Sequence, residues 1–130
     1  MVLRKSQSDH DRMVKHVAEF LVSKHYRDVK ADLPGWPTPE KIVWTSTNEG
    51  HIPDVTAMGQ LFNLFEVETD DTINIDHTAD QWKLFSRYAE QHNAVFWVVV
   101  PGGSKLKAEQ RIKQLGIKAD VWEVAVPAYA

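Results

Sequence analysis

The spacing of apolar positions switches between the helical and the extended period along this chain, and the switches delimit its elements. From Ser8 to about Lys24, Met13, Val14, Val17, Phe20 and Leu21 fall on one helical face. That predicts an amphipathic helix with Ser8 as N-cap and the acids Asp9 and Asp11 in its first turn. Three of the six prolines lie between Ala31 and Lys41, so this stretch reads as a loop. Ile42 to Thr47 is β-branched and aromatic, as a strand requires. Asn48, Gly50 and Pro53 mark turns before a short strand from Asp54 to Met58, and Gly59-Gln60 fits a hairpin turn into a strand from Leu61 to Glu68. Thr78-Ala79-Asp80-Gln81 has capping-box spacing and opens a helix reaching about His92, which Asn93 can close. Ala94 to Val100 is apolar throughout, as expected of a central strand covered on both faces. A loop from Pro101 ends in Ser104, an N-cap for a helix to Leu115 that stops at Gly116. Alternation from Asp120 to Val126 gives a last strand.

The resulting order, αβββαβαβ, is that of an α/β protein with a mixed central sheet flanked by helices. Helix-separated strands near the C-terminal end predict parallel neighbours, and the hairpin predicts an antiparallel pair.

Composition narrows the class. A chain of 130 residues is one domain, spanning 1–130, with one core. Its 43% hydrophobic and 25% charged residues exclude a disordered or collagen-like chain. The absence of cysteine excludes a disulfide scaffold, a thiol nucleophile and a thiolate zinc site. The longest apolar run is seven residues, against the roughly 20 of a membrane helix. The polar start, Met1 to His10, predicts no signal peptide, and a cytoplasmic location is the default expectation.

The chemistry concentrates around Asp54, Glu66 and Glu68. Side chains alternate along a strand, so Glu66 and Glu68 leave one face of the third strand. Asp54 begins the hairpin partner and comes close beside them. Three such carboxylates repel one another unless a cation neutralises them, and hard oxygen ligands suit Mg²⁺. Acidic residues on a solvated strand face are the plainer alternative.

Ile52-Pro53-Asp54, eleven residues, then Glu66-Val67-Glu68 resembles the signature of the PD-(D/E)XK nuclease superfamily. The strand order is similar to that superfamily's restriction-endonuclease-like αβββαβ core, here with an extra C-terminal αβ. The likeness spans about Ser8 to Val100, and the Holliday junction resolvases are similar in size. It implies a Mg²⁺-dependent DNA endonuclease, with Mn²⁺ as a substitute, hydrolysing phosphodiester bonds through a metal-activated water. Asp54 and Glu66 would be metal ligands, with the Val67 carbonyl a third. The superfamily's third position is usually lysine; here it is Glu68, a ligand or base that leaves the site without a built-in cation. Some restriction endonucleases of the superfamily also carry glutamate there. Gln81 matches a glutamine that several branches place near the metal, and it also suits N3 of the capping box.

Other residues carry weaker readings. Glu19, the only glutamate of the first helix, faces away from its apolar stripe, and Lys83 faces away from its own. His51 could line the site or be a loop histidine; His10, on the apolar side of the first helix, reads as a core or boundary residue. Trp36 reads as loop packing. Pro101 to Ser104 lacks P-loop spacing and reads as a strand-to-helix turn.

Charge distribution refines the net −3. Glu66 to Asp80 carries six acids and no Lys or Arg, whereas Ser104 to Lys118 nets +4. Lys105, Lys107, Arg111 and Lys113 thus form a candidate DNA-backbone contact set, and a solvated helix face is its alternative. The expected partner is DNA, and cutting two strands calls for a homodimer. The rival functions are an inactive nuclease-fold DNA-binding or scaffold module, and a small α/β nucleotide or phosphate binder using Gly102 to Ser104.

Overall fold

The computed structural model describes residues 7–44 and 49–125. Its elements are α1 (Gln7–Ser23), β1 (Arg27–Ala31), β2 (Ile42–Val43), β3 (Gly50–His51), β4 (Val55–Met58), β5 (Phe62–Val67), α2 (Asp76–His92), β6 (Val95–Pro101), α3 (Lys105–Leu115) and β7 (Asp120–Val124). Five strands form one mixed sheet in the order β1-β4-β5-β6-β7. β4 is antiparallel to both its neighbours, β1 and β5, while β6 is parallel to β5 and β7 to β6. The parallel and hairpin expectations both hold.

Each face of the sheet has its own apolar layer. Met13, Val14, Val17, Ala18 and Leu21 of α1 pack on Val55, Ala57, Phe65, Val67 and Val99. On the other face Trp82, Leu84, Phe85 and Ala89 of α2, with Ala108 and Ile112 of α3, cover Leu64, Phe96, Val98 and Val100. The valines of β6 thus alternate between two cores, which is why that strand reads as apolar throughout. Trp82 and Phe85 are fully buried, each stabilising the fold by about 1.5–3 kcal/mol relative to an exposed side chain. Among the described residues no helix is long and apolar enough to cross a membrane.

Three local expectations need correction. The first strand of the central sheet is β1, not Ile42 to Thr47; Ile42 and Val43 pair with His51 and Gly50 in a separate two-stranded sheet. Residues 45–48 and 126, the ends of two expected strands, lie outside the described residues. α2 starts two residues before Thr78, because the buried Ile73 and a 3-10 turn at Asp70–Thr72 bring the chain into the helix early. Ile75 is its N-cap without a side-chain bond, Thr78 is buried, and no capping box forms. Likewise α1 begins at Gln7, which puts Ser8 inside the helix. The C-caps are as expected: Asn93 and Gly116 adopt left-handed conformations, φ 52° and 65°.

Candidate functional site

Asp54 immediately precedes β4, and the pairing of Val55 with Phe65 sets it beside Glu66. Its backbone N–H donates to Glu66 Oε1 at 3.2 Å. The Val67 N–H donates to Asp54 Oδ2 at 2.8 Å. The same Oδ2 lies 3.2 Å from His10 Nε2, and His10 Nδ1 lies 3.1 Å from Asp11 Oδ1. Both nitrogens of a buried imidazole therefore face carboxylates. The first helix thus contributes a histidine, not Glu19, which is exposed.

Burial grades the carboxylates. Asp54 is 8% exposed, Glu66 1% and Glu68 0%. Desolvation pushes the Glu66 carboxyl well above the usual glutamate range; the charges of Asp54 and Glu68 push it further, outweighing the Asp54 N–H. Asp32, whose N–H donates to the Asp54 carbonyl at 2.9 Å, is also raised, by burial and then by Asp54. No feature of the sequence marks Asp32 as a neighbour of this cluster.

Glu68 has a different setting. Its Oε1 accepts the Thr72 hydroxyl at 2.6 Å and its Oε2 accepts Trp82 Nε1 at 3.1 Å. Its own N–H donates to the Val99 carbonyl. The carboxylate thereby joins β5 to the 3-10 turn and to α2. Among the described residues no group of three His, Cys, Asp or Glu side chains is arranged to hold a metal ion. The structure brings Asp54 and Glu66 together and ties Glu68 to hydroxyl and indole donors. Two adjacent hard-oxygen carboxylates fit Mg²⁺, which keeps several waters and takes one or two protein carboxylates beside substrate oxygens. Asp54, the most exposed of the three, is the face from which such an ion would be reached.

The remaining candidates spread outward. Gln81 is half-buried, next in sequence to the Trp82 that holds Glu68. His51 packs edge-on against His77 and Phe85, at 5.3 and 6.4 Å between ring centroids. Burial, and then His77, lower its pKa. Lys83 is exposed, and Trp36 packs on the α1 core.

In the basic set, Lys107 Nζ binds the Asp70 carbonyl and carboxylate at 2.8 and 3.2 Å. Lys105 and Lys113 are exposed, and Arg111 has a buried Nε without a hydrogen-bond partner. Ser104 precedes α3 but makes no side-chain cap; its hydroxyl donates to Asp70 Oδ1 at 2.9 Å. That bond and Lys107 hold the Asp70 carboxyl below its usual range. The Gly103 N–H donates to Glu123 Oε2 at 3.2 Å. Carboxylates of the chain itself thus occupy the donors that a phosphate would use at this turn.

No family model, curated protein or solved structure matches this chain.

Proposed function

We propose that this protein is a metal-dependent deoxyribonuclease of PD-(D/E)XK type, in which Asp54 and Glu66 hold Mg²⁺, or Mn²⁺ in its place. The observation that carries this reading is the pairing of two buried carboxyl groups, in which burial and then the charge of Asp54 destabilise the Glu66 anion. A bound cation removes that penalty. The order of α1, three antiparallel strands, α2 and a parallel β6 supports the same reading.

The roles follow from position. Asp54 is the outer ligand and Glu66 the inner one. His10 fixes the Asp54 carboxylate from α1, and Val67, whose N–H holds that same carboxylate, offers its carbonyl as a further oxygen. Bound there, the cation would acidify a water and offset the charge that develops on the phosphoryl oxygens. Gln81 orients water or phosphate. Glu68 supports the site by fixing α2 and the 3-10 turn, and is not its base. Lys105 and Lys113 contact the DNA backbone with Arg111, while Lys107 acts through Asp70. A domain of this size cuts one strand at a time, so scission of a duplex uses a homodimer.

A second reading, a nuclease-fold DNA-binding module without chemistry, is favoured by the 1% exposure of Glu66. Cleavage of plasmid, linear and branched DNA with Mg²⁺ or Mn²⁺, against a chelator control, separates the two. The proposal expects metal-dependent cuts that disappear in Asp54→Ala and in Glu66→Ala. Activity that survives both substitutions overturns the site.

A further inference from the structure

The helices cover the sheet unequally. α2 and α3 lie across one face, whereas on the other α1 packs on β1, β4 and β5, and among the described residues no helix follows it over β6 and β7. Trp97 and Trp122 stand on that uncovered part. With Phe20, Tyr26 and Lys105 they line a cleft of about 490 Å³. Phe20 is 38% and Tyr26 36% exposed, a high value for aromatic rings sharing one cleft.

The rings are held in place. Trp97 Nε1 donates to Asn63 Oδ1 at 3.0 Å, and its ring lies 12° from parallel to Phe65, with centroids 6.1 Å apart. Trp122 sits at 5.1 Å from Phe20 and 6.1 Å from Phe65. A planar ligand that stacks here loses no protein side-chain freedom that folding has not already removed. Charge narrows the ligand further. Among the described residues neither Lys105 nor Lys24, whose ammonium stands 5.6 Å from the Phe20 ring centre, has an ion-pair partner. The one carboxylate of the lining, Glu123, accepts the Gly103 N–H. Flat rings joined to anions match both halves of the surface.

We propose that this cleft binds single-stranded DNA, stacking unpaired bases on Trp97 and Trp122 with phosphates toward Lys105 and Lys24. The choice of ligand deepens the nuclease reading and rests on it. Phe20 follows His10 by ten residues on α1, about 15 Å along the helix axis. A few nucleotides span that distance, so a strand held in the cleft presents its continuation near Asp54.

The test is fluorescence anisotropy of labelled (dT)12 in EDTA, where no cleavage occurs, with folding checked by circular dichroism. Trp122→Leu keeps an apolar side chain without a stacking face and is expected to weaken binding about tenfold; Trp122→Phe keeps the face and stays within about threefold. Lys105→Ala is expected to lower the salt dependence by about one released ion. In the native protein saturating (dT)12 quenches tryptophan emission, and absence of quenching overturns the proposal even if Trp122→Leu fails to fold. Unchanged affinity in a folded Trp122→Leu overturns it too. So does a concentration-dependent dimer that Trp122→Leu abolishes while (dT)12 does not bind, which assigns the face to a second copy. Metal-dependent cleavage of duplex DNA with (dT)12 binding indifferent to Trp122 breaks this inference alone. Trp122-dependent binding without cleavage breaks the nuclease reading alone.

Discussion

Glu66 in β5 and Glu68 just beyond its end are both buried, yet they take different kinds of hydrogen-bond partner. Around Glu68 the chain supplies neutral donors, the Thr72 hydroxyl and the Trp82 indole, one on each oxygen. Around Glu66 it supplies the carboxyl groups of Asp54 and Glu68 and one backbone N–H. Burial is nearly the same, so burial does not distinguish the two. Partners do. A buried carboxylate with a donor on each oxygen is a structural joint, whereas one held by a single N–H among carboxyl neighbours asks for a cation.

The largest effect that would break this contrast concerns catalysis. Asp54→Ala and Glu66→Ala are each expected to lower Mg²⁺-dependent cleavage more than about a hundredfold, measured as single-turnover nicking of supercoiled plasmid. Glu68→Gln is expected to lower the rate per folded molecule less than tenfold. A loss from Glu68→Gln as large as that from Glu66→Ala would return Glu68 to the metal or to a role as base.

Stability sharpens the contrast next. Trp82→Phe removes the indole donor from Glu68 and is expected to destabilise the protein by about 1–3 kcal/mol in urea denaturation, through the unsatisfied acceptor. Glu66→Gln is expected to do the reverse. The Glu66 pKa is raised on folding, so its contribution is fully present below the ordinary glutamate pKa and is lost as pH rises through the folded value. Without metal, Glu66→Gln therefore flattens the fall in melting temperature as pH rises above the ordinary glutamate range. A steeper fall in the variant would refute the cation-seeking role.

The smallest effect is at the surface. Asp70→Asn weakens an exposed contact with Lys107 and is expected to cost less than about 1 kcal/mol, because solvent screens the pair. With the Asp70 carboxyl held below its usual range, this contribution is present at neutral pH and lost as pH falls through that lowered value.

Legibility followed the reach of each interaction. β6, α3 and the β4–β5 hairpin could be read because their signals are local: an unbroken apolar run, a Gly116 stop and a turn between alternating strands. β1 could not. Arg27-Asp28-Val29-Lys30 has no apolar alternation, and its register is broken between Arg27 and Lys30, where Asp28 takes a φ of 52°. Ile42 to Thr47 looked more like a strand than β1 does, but Ile42 and Trp44 serve the α2 core, and Ile42 does so from a separate pairing. In the site, the juxtaposition of Asp54 and Glu66 followed from hairpin spacing alone. The partners of Glu68 did not, because Trp82 reaches it from a helix fourteen residues on. His10 gave one signal, a polar residue on an apolar helical stripe between two acids, and only the tertiary fold reveals that it meets Asp54.

The most direct test of the central claim is Mn²⁺ binding by electron paramagnetic resonance on the native protein, Asp54→Asn and Glu68→Gln. A protein-bound ion is expected in the native protein, with its loss in Asp54→Asn and its retention in Glu68→Gln. Bound Mn²⁺ that persists in Asp54→Asn, or disappears in Glu68→Gln with the fold intact, would contradict that claim.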